Sequence, residues 1–247
     1  MDPVTAIAAA GMRARMEALD LLANNLANVN TPGYKADREF YHLYTAAEAW
    51  EGPLRFPPSE MPSLDSQWTD YSQGSIQTTG SPLDLALHGD GFLAAERDGK
   101  VVYLRSGSFH VAPDGTVRTA DGYALRKAGG GLIQVDPQAE VKIGMDGSVE
   151  QRGAVVGRLE LTAFESPQAL EKATGPYFRL ADPSAATKAA TATRILQGRL
   201  EASNVTAAEA AIRLVTVMRQ FESLQRALLI HSDMGRRSVE ELARVSS

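Results

Sequence analysis

Four histidines, His42, His88, His110 and His231, are the side chains of this sequence best suited to general acid–base work or to a transition metal. Their spacing supports neither use, since none stands with another His, Asp or Glu in a zinc-ligand pattern. His42 lies among aromatics and His231 in a helix-patterned tail, where histidine is ordinarily structural. Around HGDGFL (88–93), Asp84 and Asp90 offer oxygens to a calcium ion. The spacing is not that of an EF-hand, and a bulged turn between two strands accounts for the glycines. Gly129-Gly130-Gly131 lacks the Lys-Ser/Thr of a phosphate loop and the strand–helix setting of a dinucleotide site, so it reads as a turn. Glu240-Glu241 falls on a charged helix tail, where carboxylates are simply solvated. No serine occupies a Gly-x-Ser-x-Gly elbow. Absent cysteine removes thiolate nucleophiles, thiolate metal sites and disulfides. These residues lead to no enzyme, no cofactor and no metal.

The elements that carry these residues point elsewhere. The chain has 247 residues, with the 44% hydrophobic and 22% charged content of an ordinary globular protein. A net charge of −5 gives no basic face for nucleic acid. No run approaches the roughly 18 apolar residues of a membrane span, so no insertion is expected. MDPVTAIAAAGMRAR places its basic residues after a short apolar stretch, unlike a secretory signal. The expectation is a cytosolic protein, or one exported by a route that reads no such signal.

A helix is expected over 3–29, with Asp2 as its cap and Pro3 in the first turn. Met12, Met16, Leu19, Leu22, Leu26 and Val29 form its apolar stripe, and Thr31-Pro32-Gly33 ends it. The last segment has the same character. Thr206-Ala-Ala-Glu209 is a capping-box pattern. Ala207, Ala210, Leu214, Val217, Phe221, Leu224 and Leu228 then alternate by three and four residues, a heptad seam. Over 205–240 this helix spans roughly 50 Å at 1.5 Å per residue, too long and one-sided to stand alone. Ile212, Val215 and Met218 flank the seam and stay uncovered when only the seam is buried.

Between the helices, Asp98-Gly99, Asp114-Gly115, Asp121-Gly122 and Asp146-Gly147 break short alternating runs, a hairpin signal because both residues tolerate positive φ. EGPLRFPPSEMP (51–62) reads as an extended connector, and SAATKAATATR (184–194) as the return to the last helix. The expected organisation is a helix and turn motif over 1–35, a proline-rich connector over 36–67 and a central antiparallel β domain over 68–183. A return segment over 184–204 and an amphipathic helix over 205–247 complete an α+β fold.

ANNLANVNTPGYK (23–35) places Asn24, Asn25, Asn28 and Asn30 where they weaken a lone helix. Asparagine is useful there when the helix end is crowded by neighbours, because its amide donates and accepts and fixes register. The plainer use, for Asn28 and Asn30, is to cap the helix end. The expected assembly interface is therefore Met12, Leu19, Leu22, Asn24, Asn25, Leu26, Asn28 and Val29 on the first helix. On the last it is Leu214, Val217, Met218, Phe221, Leu224 and Leu228.

ANNLANVNTPGYK, SPLDLALHGDGFL (81–93) and GRLEASNV…MRQFES (198–223) resemble, in order and spacing, the three signatures of the flagellar basal-body rod and hook protein family. The resemblance runs through essentially the whole chain. It implies terminal helices forming a coiled-coil inner layer around an export channel, with the β domain outside and subunits stacked helically into a rod crossing the periplasm. It also implies export by the flagellar type III apparatus and ends that order on assembly. The implied partners are copies of itself, other rod proteins, and hook or ring components. Phe92-Leu93 stands where many relatives carry two aromatics, a departure that touches one strand only. Length leaves two mid-sized rod members, and VGRLELTAFESPQALEKATGPYFR (156–179) looks more like one of them. The connector after TPGYK lacks the stretch expected of the distal-rod member. A hook-type axial protein is one alternative. A hydrolase or ligand-binding module on the β domain, dimerised by its helices, is the rival class.

Overall fold

The computed structural model describes residues 3–45, 60–166, 169–182 and 186–245. The proposed Asp2 cap and residues 46–59 of the connector lie outside these. The chain divides into two compact units, Met1–Ala27 with Asp37–Trp68 and Ala207–Ser247, and Asn28–Ala36 with Thr69–Thr206.

In the first unit, α1 (Pro3–Ala27) and α2 (Ala207–Val245) pack on each other, beside a two-stranded sheet of Asp37–Thr45 and Glu60–Thr69. α1 ends two residues before the expected 29, and α2 begins immediately after Thr206 and runs past 240. Ala18, Leu22 and Val217 form the buried centre of the helix pair, with Leu19 and Leu214 against it. Ala14 is also buried, and a Cβ at Gly11 would sit 3.6 Å from Leu224 Cδ1. Small residues thus line the face of α1 that α2 approaches. The apolar spacing located the helix but rotated its inward face by about one residue, so that Met16, placed on the stripe, is 55% exposed. Side-chain size explains the difference. Close helix approach favours glycine and alanine, which a count of large apolar residues passes over.

The second unit is β-rich, and every pairing between its described strands is antiparallel. Its main sheet has 11 strands, accompanied by a three-stranded and a two-stranded sheet. Leu85, Leu87, Leu93, Leu104, Ile133 and Ile195 sit at the centre of its core. A second, aromatic cluster joins Phe92, Tyr103 and Phe178. FLAAERDGKVVYL folds as Phe92–Arg97 paired with Lys100–Leu104, as its alternation requires.

The four Asp-Gly pairs are not one turn type. At Asp98-Gly99 both residues are left-handed, φ 53° and 76°, and Arg97 pairs directly with Lys100. At the other three pairs only glycine is left-handed, with φ of 81°, 85° and 87°. Asp114 and Asp146 hold their turns with side chains instead. Thr116 donates its N–H and hydroxyl to Asp114 Oδ1, and Ser148 does the same to Asp146 Oδ1. Those bonds hold both carboxyls below the ordinary carboxylate range. Residues 184–204, expected as a return leg, carry the strands Thr187–Ala189, Arg194–Gln197 and Arg199–Glu201, each hydrogen-bonded into the β unit.

Candidate assembly site

In the first unit the expected interface residues divide by burial. Leu22 and Val217 are buried against each other's helix, with Leu19, Leu214, Phe221, Leu224 and Leu228 half-buried along the pair. Met12 and Leu26 are half-buried and Asn24 is exposed. On α2, Ile212 is 70% exposed, and Val215, Met218, Leu229, Ile230 and Met234 also face outward. The helix pair covers one side of α2 and leaves these apolar side chains open, in two groups separated by the exposed Arg219, Glu222 and Arg226. Arg213 reaches from α2 to Glu39 at 2.6 Å, and the Glu39 side chain is almost wholly buried.

Asn25 is buried and reads both polar groups of one residue. Its Nδ2 donates to Asp37 O at 2.7 Å, and its Oδ1 accepts from Asp37 N at 3.0 Å. Asn25 thus ties the end of α1 to Asp37 within one chain. Asn28 and Val29 lie beyond the helix, in the second unit. Asn28 shapes the turn there, its carbonyl accepting from Thr31 N and its amide oxygen from Thr31 Oγ1.

The second unit gathers all three quoted motifs at one junction. Lys35, from NTPGYK, is fully buried and donates to Glu201 Oε1 at 2.5 Å and to Ser72 O at 2.7 Å. Glu201, from GRLEASNV, is also fully buried and accepts from Gly74 N at 3.0 Å. Arg105 lies 3.5 Å from its other oxygen and donates to Gly91 O of the HGDGF turn at 2.7 Å. Burial pushes the Lys35 ammonium below its ordinary value, while Glu201 pulls it back up. Gly33, at φ 73°, donates its N–H to Glu201 O, and a Cβ there would lie 3.0 Å from Ser106 N. Only glycine satisfies both demands.

Sequence reasoning named no role for Lys35, Arg105, Glu201 or Asn204. The available signal was a Lys ending one motif and a Glu inside another. Nothing local pairs two residues 166 positions apart.

The residues weighed for chemistry have structural positions. Gly91 packs so closely that a Cβ would lie 2.6 Å from both Ala190 Cβ and Thr193 Oγ1, which accounts for the HGDG turn. Asp84 is buried in the strand Asp84–His88, and Asp90 is exposed. Gly129, Gly130 and Gly131 are all left-handed in a turn closed by Lys127 N to Gly131 O. His88 and His110 are exposed on strands and His231 is half-buried on α2. The side chains of His42, Glu240 and Glu241 lie outside the described residues. Among the described residues, no three His, Asp or Glu groups gather as a metal site, and no helix is long and apolar enough to cross a membrane.

Three family models match the chain. Residues 6–35 match the flagella basal body rod protein, 86–151 the flagellar hook protein FlgE/F/G D1 domain, and 196–241 the flagellar basal body rod FlgEFG protein C-terminal. The chain is 31% identical to the flagellar basal-body rod protein FlgF of Caulobacter vibrioides over 92% of its own length and 93% of the relative's. It is 30% identical to Escherichia coli FlgF over 97% of both chains. To Bacillus subtilis FlgG it is 29% identical over 86% of its own length and 89% of the relative's.

Proposed function

The chain belongs to the flagellar basal-body rod protein family and is a structural subunit of that rod; from this premise we propose how it assembles and which member it is. The subunit joins copies of itself and other rod proteins through α1 and α2, whose pair forms the coiled-coil inner layer of a helical tube. One observation carries this reading. With α1 packed on its seam, α2 still exposes Ile212, Val215, Met218, Leu229, Ile230 and Met234. Two such apolar groups on a 39-residue helix are costly in water and are relieved by a neighbouring helix. The interface then comprises the seam residues Leu214, Val217, Phe221, Leu224 and Leu228, with Met218 toward the neighbour. From α1 it comprises Met12, Leu19, Leu22, Leu26 and the asparagine-rich end.

The member is FlgF. The 156–179 segment and the connector without the distal-rod stretch support it over FlgG, while relatives of both names match at about the same identity over most of the chain. The subunit reaches the periplasm-spanning rod through the flagellar type III apparatus, and its remaining neighbours are hook or ring components. A ligand-binding module dimerised by its helices is not favoured, because the relatives are rod proteins over nearly their whole length.

The test is Phe221→Asp, which puts a charge into the half-buried seam. The variant should fold its β unit, by circular dichroism and amide exchange, yet fail to enter rods. Normal incorporation removes the seam from the interface.

A further inference from the structure

We propose that Lys35, Glu201 and Arg105 form a buried latch that fixes the register of the segment leaving α1 against the segment entering α2. The two segments are bonded to each other at several points. Gly33 N donates to Glu201 O at 2.7 Å, Ala36 N to Asn204 Oδ1 at 2.7 Å, and Asn204 N to Tyr34 O at 3.4 Å. The β body then holds both. Glu201 N donates to Ser106 Oγ, which donates on to Leu85 O, both at 2.9 Å. Lys172 Nζ donates to Lys35 O at 2.6 Å and stands 3.7 Å from the centre of the Tyr34 ring.

The strand Arg199–Glu201 meets Ile76–Thr78 over three residue pairs, continued by Thr79 N to Gly198 O and Ala202 N to Ser75 O. A one-residue slip would break these backbone bonds, which a shifted ladder can re-form in part. It would also turn Glu201 to the opposite face of the strand, which no shifted ladder repairs. Lys35 and Arg105 would then lose the buried carboxylate they share, which is more costly than a ladder bond lost. One carboxylate serving two cations therefore penalises every register but one. A buried ion pair is a weak source of net stability, and register choice is the use best attested for it. The latch concerns the single molecule. Its value to assembly, delivering two helices in fixed sequence register, rests on the proposed rod function.

The experiment is amide exchange on the full-length monomer, so its outcome does not depend on whether rods form. Lys35→Met leaves Glu201 paired with Arg105 and the node charge-balanced. Amides of 33–36 and 199–204 should exchange at least tenfold faster, while those of Leu93, Val102 and Leu104 keep their wild-type rates. Glu201→Gln should open the same segments further. If it does not fold, Lys35→Met alone decides. Wild-type rates at 33–36 and 199–204 in Lys35→Met, or equal acceleration in the core strands, would overturn the latch.

Discussion

Asn25 and Asp37 exchange two hydrogen bonds, the side-chain amide of one meeting both backbone groups of the other at 2.7 and 3.0 Å. The amide thereby ties the last turn of α1 to the first residue of the strand Asp37–Thr45. Asn25→Ala leaves both backbone groups without this partner, a loss of about 1–3 kcal/mol in unfolding free energy. In an isolated 3–27 peptide the clamp is absent, and there the same change should raise helicity, since alanine is the better helix former by about 0.5 kcal/mol. Opposite signs in chain and peptide are the expected result by denaturation and circular dichroism. A chain unaffected by Asn25→Ala discards the clamp.

That asparagine shows where sequence reasoning reached and where it stopped. Its cost to a lone helix was legible from propensity, and so was the need for an outside partner. The partner itself, a backbone twelve residues on, was not. The helices announced themselves by three-and-four spacing, and four of the strand breaks by Asp-Gly. The inward face of α1 was misjudged because Ala14 and Ala18 are buried, Ala18 against α2, while Met16 is exposed. Thr187–Ala189 was not read as a strand because its side chains are exposed, and what holds it is main-chain pairing with Thr162–Phe164 and the surface ion pair of Lys188 with Glu165. The Lys35–Glu201 junction is a product of tertiary closure, and no window of sequence contains both residues.

Arg213 and Glu39 should respond unequally to mutation. The Glu39 side chain is 4% exposed, whereas that of Arg213 is 42% exposed. Arg213→Met strands a buried charge, and about 1–3 kcal/mol should be lost. Glu39→Gln leaves a cation that water can reach, and the loss should stay below about 1 kcal/mol. Urea midpoints of the two variants measure the difference. A larger loss for Glu39→Gln contradicts the assignment of the desolvated partner.

The alkaline limb of stability should depend on Tyr177. Burial raises its hydroxyl above the ordinary value of 10.0, and donation to Asp121 Oδ2 at 2.6 Å raises it further. The unfolded chain therefore loses this proton first. The group's contribution is complete below about pH 10 and is lost as pH rises from there through the folded value. Tyr103, raised chiefly by burial, acts in the same direction. Tyr177→Phe should cost about 0.5–1.5 kcal/mol at neutral pH through the missing hydrogen bond. It should also shallow, without abolishing, the decline above pH 10. An unchanged slope in a pH series of thermal unfolding curves refutes the assignment.

The two sides of α2 should separate folding from assembly. Val217 is 5% exposed against Ala18 and Leu22, while Ile212 is 70% exposed. Val217→Asp buries a charge in the helix pair, so the variant should lose helicity as a monomer and fail to polymerise. Ile212→Asp changes a side chain already in water, and monomer stability should stay within about 0.5 kcal/mol of wild type. Its charge would enter the contact with the neighbouring subunit, so sedimentation should show the assembled fraction falling sharply. Thermal unfolding and sedimentation of both variants under one buffer condition distinguish the two sides. Normal polymerisation of Ile212→Asp would assign the outer row of α2 to solvent and shift the contact between subunits to another face.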